Sequence, residues 1–209
     1  MMRMRTYALV FATSVLMAAC GQLVTSPGVP LDPGVTVHAD PTGDAGTFPT
    51  FDVLELRTSR GISELQVRVW TTPDPVLPAP GTFPSAVQFS GGIGFNTDLN
   101  NATGVALVPP CGGGQGLERF IDLTARNFNG TYNVLDAALV PVGTAAVSQD
   151  GPRVTFMVSF ATLGTLTGRT ESNAVVGVGA FPFVGRDCVP DSGQMVPTRA
   201  RTHRHPVIW

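Results

Sequence analysis

Apolar side chains recur at every second position in several stretches of this chain, a period that a strand can bury on one face and a helix cannot. Leu65, Val67 and Val69 alternate with Gln66, Arg68 and Trp70. Val154, Phe156, Val158 and Phe160 alternate with Arg153, Thr155, Met157 and Ser159. Val176, Val178 and Ala180 form a further run, and near the start Asp52, Leu54 and Leu56 share one parity while Val53, Glu55 and Arg57 share the other. Between the runs stand turn signals such as Ser59-Arg60-Gly61, Asn127-Phe128-Asn129-Gly130 and Gln149-Asp150-Gly151-Pro152. Half-buried strands with Gly/Pro punctuation and no long amphipathic helix predict an all-β domain, an antiparallel sandwich of immunoglobulin or jelly-roll type. One such domain is expected over residues 51–193, with no internal repeat.

The composition agrees with a folded chain. Gly and Pro, 24 and 18 of 209 residues, are frequent, but 43% hydrophobic residues supply a core. Every one of the 13 basic residues is Arg, against 15 acids, for a formal charge of −2. No basic surplus exists to neutralise phosphates, which excludes nucleic-acid binding. Scarce Glu and absent Lys exclude a long coiled coil.

Residues 1–19 read as an export signal. Arg3 and Arg5 precede an apolar run from Tyr7 to Leu16, too short for a stable span of a bilayer about 30 Å thick. Met17-Ala18-Ala19-Cys20 then resembles the lipobox of bacterial lipoproteins, in which the Cys is acylated and becomes the first mature residue. Met17 stands where that pattern usually has Leu. The alternative is an ordinary secreted protein cut after Ala18 or Ala19. The resemblance implies an anchor on the outer side of the cytoplasmic membrane, at the outer membrane or cell surface. Residues 20–50, rich in Pro, Gly and Asp, read as a flexible lipid-anchored linker that carries His38. Residues 194–209, with Arg199, Arg201, Arg204, His203 and His205, read as a basic tail.

With Cys20 lipidated, Cys111 and Cys188 remain as an even pair in an oxidising compartment. A bridge between them is expected. Two free thiols are the alternative, because spacing alone does not bring two Cβ atoms together.

A resemblance rests on Asp52-Val53-Leu54-Glu55-Leu56, Glu64-Leu65-Gln66-Val67-Arg68-Val69 and Gly94-Phe95-Asn96-Thr97-Asp98-Leu99-Asn100-Asn101-Ala102-Thr103-Gly104. This order is similar to extracellular bacterial β-sandwich domains related to DOMON and to family 9 carbohydrate-binding modules. Those domains have an aspartate-led first strand and a D-x-D-x-N-x-x-T-G turn after the third. Here Asn96 replaces the first acidic residue. The resemblance implies a ligand-binding sandwich, for sugar, haem or metal, without naming one ligand.

Catalytic constellations are missing from the sequence. No Gly-x-Ser-x-Gly elbow and no His-Glu-x-x-His pattern occur, and the only His residues outside the linker are His203 and His205. We therefore read the domain as a non-catalytic binding module. Its partners would be the membrane, through the lipid, and a glycan or an envelope protein. The alternative is a structural envelope or protein-interaction module without a small-molecule ligand.

Two candidate sites follow. Trp70 has outward parity beside Gln66 and Arg68, offering a stacking face with polar neighbours for a sugar, unless a loop or another sheet covers it. Asn96, Asp98 and Asn100 alternate and, in extended backbone, would set three oxygen donors on one face for Ca²⁺, which takes 6–8 oxygens at about 2.3–2.6 Å. The family layout alone suggests Asp52 as a fourth ligand. The competing reading is an Asn/Asp turn whose side chains cap its own backbone.

Overall fold

The structure is a computed structural model of the full chain. It describes residues 35–43, 51–85, 88–106, 116–164, 171–180, 186–189 and 196–199. Every described residue lies in one compact unit, Leu31–Trp209.

That unit is all-β and antiparallel. Its strands are β1 (Val35–Ala39), β2 (Asp52–Arg60), β3 (Glu64–Thr72), β4 (Phe89–Asn96), β5 (Val105–Ala106), β6 (Gly116–Leu117), β7 (Arg119–Arg126), β8 (Tyr132–Asp136), β9 (Pro141–Asp150), β10 (Arg153–Ser159), β11 (Glu171–Ala180), β12 (Arg186–Val189) and β13 (Val196–Arg199). Hydrogen bonding runs through one curled sheet in the order β1-β2-β3-β10-β9-β8-β7-β4-β11-β12, with β13 also on β11, while β5 and β6 form a separate ribbon.

The continuity of the sheet depends on β9. Its first half pairs with β8, Tyr132 opposite Ala145, and its second half pairs with β10, Met157 opposite Ala146. One strand thus passes from one set of partners to the other within two residues. Small residues, Gly143, Ala145 and Ala146, occupy the handover, and a register shift between Val134 and Leu135 adds local bend. The far ends of the sheet meet where the Val53 N–H donates to Asp187 Oδ2, joining β2 to β12.

The inward set is largely that of the alternation. Leu65, Val67 and Val69 of β3 and Val154, Phe156 and Val158 of β10 are all buried. Tyr132 and Phe156 rings lie 6.0 Å apart, and Phe51 meets Phe89 edge-on at 5.5 Å. A single helical turn, α1 (Phe160–Leu163), closes β10; Ser159 Oγ accepts its Thr162 N–H at 3.1 Å.

Three expectations need correction. In β2 no single parity is buried: Asp52, Val53, Leu56 and Thr58 are, because the register shifts between Val53 and Glu55 and leaves Leu54 as the extra residue of a bulge. The linker expected over 20–50 contains β1, paired with β2 from Val35 opposite Ser59 to Ala39 opposite Glu55. Val35-Thr36-Val37 is a short β-branched run, and an edge strand orders by backbone pairing to its neighbour, without a core of its own. The tail expected over 194–209 contains β13, with Glu171 opposite Arg199 and Asn173 opposite Pro197. A proline is admissible there because β13 pairs on one side only in the described sheet.

Candidate functional site

The outward residues of β2, β3 and β10 assemble the first candidate surface. Register aligns Glu55, Trp70, Arg153 and Asp150 in one row across β2, β3, β10 and β9. The next row holds Arg57, Arg68, Thr155 and Ser148, and the one after it Ser59, Gln66, Met157 and Ala146. Period two on β3 places Gln66, Arg68 and Trp70 together on this face, as the sequence predicts, and all three are half-buried.

Trp70 is flanked by guanidinium groups of its own face. Arg57 of β2 lies 5.1 Å from the ring centroid and Arg153 of β10 lies 5.5 Å from it. Each arginine is held by a carboxylate: Arg57 by Glu55 at 2.9 Å, Arg153 by Asp150. The pairs fix flexible side chains against an aromatic surface, where each cation–π contact contributes about 0.5–1 kcal/mol. Beside them Arg68 donates to Gln66 Oε1 at 2.9 Å, and Gln66 Nε2 donates to Glu64 Oε1 at 3.3 Å. The result is a strip of hydrogen-bonded donors and acceptors with a tryptophan at one end. Sequence parity identifies Trp70, Gln66 and Arg68. It misses Glu55, Arg57, Asp150 and Arg153, since only strand register brings these beside the indole.

The second candidate is the segment after β4. The expected extended run of Asn96, Asp98 and Asn100 is not what forms. Leu99 has φ 61°, in the left-handed region, and the chain turns. Two side chains cap that turn: Asp98 Oδ1 accepts from the Asn100 N–H at 2.8 Å, and Asn100 Oδ1 from the Ala102 N–H at 3.0 Å. Alternation fails here because Asx side chains offer the backbone a turn in place of a strand.

The turn is closed by a residue the sequence reading missed. Glu118, between β6 and β7, accepts the Thr97 N–H on Oε2 at 2.8 Å and faces Thr103 Oγ1 with Oε1 at 3.1 Å. Two glycines permit the approach. A Cβ on Gly104, where φ is 72°, would meet the Leu117 carbonyl oxygen at 2.4 Å, and one on Gly116 would meet the Thr103 carbonyl oxygen at 1.7 Å.

Asp52 does not join this group. Its Oδ2 accepts the Gly43 N–H at 2.8 Å. Its neighbour Val53 bonds to Asp187, which is level with Val178 and Gly91 across the sheet. Gly91 is five residues from Asn96 along β4, about 17 Å at about 3.4 Å per residue. The suggested fourth ligand is therefore at the opposite end of the strand.

Cys188 is buried at the end of β12 and is disulfide-bonded. Its partner sulfur, Cys111 and the lipidation candidate Cys20 all lie outside the described residues. Among the described residues no helix is long and apolar enough to cross a membrane.

No family model matches this chain, and no curated protein matches it either. The resemblance to DOMON-like domains and family 9 carbohydrate-binding modules rests on the quoted motifs.

Proposed function

We propose that this chain is an exported envelope protein, tethered through a lipid on Cys20, whose all-β domain is a non-catalytic binding module of DOMON-like or carbohydrate-binding kind. The outer face of β2, β3 and β10 is its ligand surface, and a glycan is its ligand. The observation that carries this reading is the strip of Trp70, Arg68 and Gln66. It sets an indole, with ion-paired Arg57 and Arg153 against its ring, beside the hydrogen-bonded Arg68 and Gln66, on strands whose opposite faces are packed in the core. A sugar ring presents an apolar C–H face and a rim of hydroxyls. An indole with fixed donors and acceptors beside it complements both.

A different observation favours the reading as a structural or protein-interaction module. Phe83 and Phe128 are exposed, with the Phe128 ring lying against Gly81 on the loop before β4. Exposed aromatics of this kind suit a protein partner.

The two readings separate on immobilised glycans. The full chain in detergent is expected to be retained by at least one glycan. Trp70→Ala is expected to weaken that retention at least about 10-fold, the usual cost of removing a central aromatic anchor. Phe83→Ala and Phe128→Ala should leave retention unchanged. No retention of the parent, or retention unaffected by Trp70→Ala, overturns the glycan reading. For the anchor, Cys20→Ala is expected to move the protein out of the membrane fraction or leave it unprocessed. A variant that fractionates and is processed like the parent overturns the lipid.

A further inference from the structure

In an antiparallel sheet the connections alternate between the two ends of the strands, so strand direction sorts the loops of this domain. β1 begins at Val35, β2 runs back against it, and β3 returns. The end at which β1 begins therefore also carries the β2–β3 turn. Followed through β10, β9, β8, β7 and β4, strand direction puts the β8–β9 turn and the segment that leaves β4 at that same end. The β7–β8 turn and the segment that enters β4 lie at the other. Each of the three connections at the first end exposes a large apolar side chain: Ile62, fully exposed, in the β2–β3 turn, Leu99 after β4, and Leu139 with Val140 in the β8–β9 turn.

The backbone marks two of these four residues. Leu99 and Leu139 both have φ 61°, and among the described residues they are the non-glycine residues with positive φ. Gly, Asn or Asp is the ordinary occupant of that region, and a leucine there costs conformational energy. In the β8–β9 turn the conformation is held firmly. Asp136 Oδ1 accepts the Ala138 and Val140 N–H groups at 2.9 Å each, and the Leu139 N–H donates to the Asp136 carbonyl oxygen at 2.9 Å. A polar occupant would relieve the backbone and hydrate better, so folding alone does not account for an exposed leucine at either position. Contact with an apolar medium does.

The chain that leads into β1 says which medium. β1 is the first described element and begins at this end, and Val35 stands 15 positions beyond Cys20, a reach of at most about 50 Å. We propose that this end of the domain rests on the phospholipid bilayer through Ile62, Leu99, Leu139 and Val140. The inference builds on the lipid at Cys20: a tether that enters the domain at this end presents it to the bilayer first. The contact is apolar rather than ionic, because the cations of this end are engaged by the protein. Arg60 stacks over the Phe160 ring at 4.6 Å, and Arg119 donates to the carbonyl oxygens of Glu118 and Thr162. Trp70, two residues before the end of β3, lies toward the opposite end. A domain resting on the bilayer in this way turns its tryptophan strip outward, toward a glycan.

The test is paramagnetic broadening of the isotope-labelled full chain in phosphatidylcholine nanodiscs that carry a lipid spin-labelled in its acyl chain. The backbone amides of Ile62, Leu99, Leu139 and Val140 should broaden at least about 10-fold more than those of Val76, Phe83 and Phe128, because tilted strands of nine residues at about 3.4 Å each hold the two ends roughly 20–30 Å apart. The pattern should persist in about 0.5 M NaCl, where ionic contacts are screened. The double variant Ile62→Ser, Leu139→Asn should fold like the parent, since Ile62 is fully exposed and Asn adopts positive φ readily. Its population in contact with the bilayer should fall at least about 10-fold, as two apolar side chains no longer leave water. Broadening that is even over the two ends, centred on Phe83 and Phe128, or unchanged in the double variant overturns the proposal. Should that variant fail to fold, the parent's pattern decides alone. Amide shifts at this end that follow protein rather than lipid concentration would assign it to a second copy of the chain and overturn the proposal as well. Flotation with phosphatidylcholine vesicles keeps the two claims apart. A parent that floats where Cys20→Ala does not, yet lacks the pattern, refutes the contact alone. A parent that does not float refutes the lipid on Cys20 and the contact with it.

Discussion

Asp187→Ala is expected to lower the unfolding free energy by about 2–6 kcal/mol, the largest single effect in this domain outside the apolar core. Asp187 is buried, and its carboxylate receives two backbone N–H groups, Val53 on Oδ2 and Cys188 on Oδ1, the latter at 2.8 Å. Truncation leaves two donors at about 1–3 kcal/mol each. The bond to Val53 also fastens β2 to β12, where the curled sheet returns on itself. Asp187→Asn, which keeps one carbonyl oxygen, should recover part of the loss. Urea unfolding of the three proteins measures this directly. A loss under 1 kcal/mol for Asp187→Ala would mean that the two ends of the sheet are held by other contacts.

The second large effect is alkaline. Tyr132 is buried, and its hydroxyl has no hydrogen-bond partner among the described residues. Burial pushes its pKa up to about 12, partly offset by the Arg126 charge. In the unfolded chain the phenol titrates near 10. The folded state therefore resists deprotonation. Stability is unaffected below about pH 10 and falls as the pH rises from about 10 to 12, by up to about 2.7 kcal/mol at about 1.36 kcal/mol per unit. The readout is clean, because the chain has no Lys and only one other Tyr to titrate in that window. Tyr132→Phe should remove this alkaline decline and raise stability at neutral pH by about 1 kcal/mol, since it deletes a buried hydroxyl that no group satisfies. A decline of equal size in Tyr132→Phe would assign it to other groups.

How much of this was legible beforehand differs from strand to strand. β3 and β10 were, because both faces of each strand carry the alternation without interruption and their turns have Gly, Pro or Asp in the expected places. β2 was legible as a strand and misread in facing, because a bulge adds a residue without changing composition. β1 and β13 were hidden in Gly/Pro-rich and basic segments, since their order comes from pairing to β2 and β11, which no local pattern records.

The candidate sites divide in the same way. Trp70, Gln66 and Arg68 lie on one strand at period two, so their common face could be read directly. Their partners Arg57 and Arg153 sit on neighbouring strands, so they require register. In the loop after β4, Asp98 and Asn96 were legible as oxygen donors. Asn100 turns its side chain on its own loop, where it caps the Ala102 N–H. Glu118 stands twenty residues beyond Asp98 and reaches the loop only because Gly104 and Gly116 let β5 and β6 cross so closely. Asp52 was suggested only by the layout of the domains this sequence resembles, and strand direction carries it to the other end of β4.

The central proposal is that the outer face of β2, β3 and β10 binds a glycan. The most direct measurement is a nuclear magnetic resonance titration of the isotope-labelled full chain, in detergent micelles, with the best-retained glycan. The account predicts saturable shifts at the Trp70 indole N–H, the Gln66 side-chain amide and the Arg57, Arg68 and Arg153 guanidinium groups, with the Phe83 and Phe128 loops unmoved. Shifts centred on Phe83 and Phe128, or none on the β3 face at saturating glycan, would contradict it.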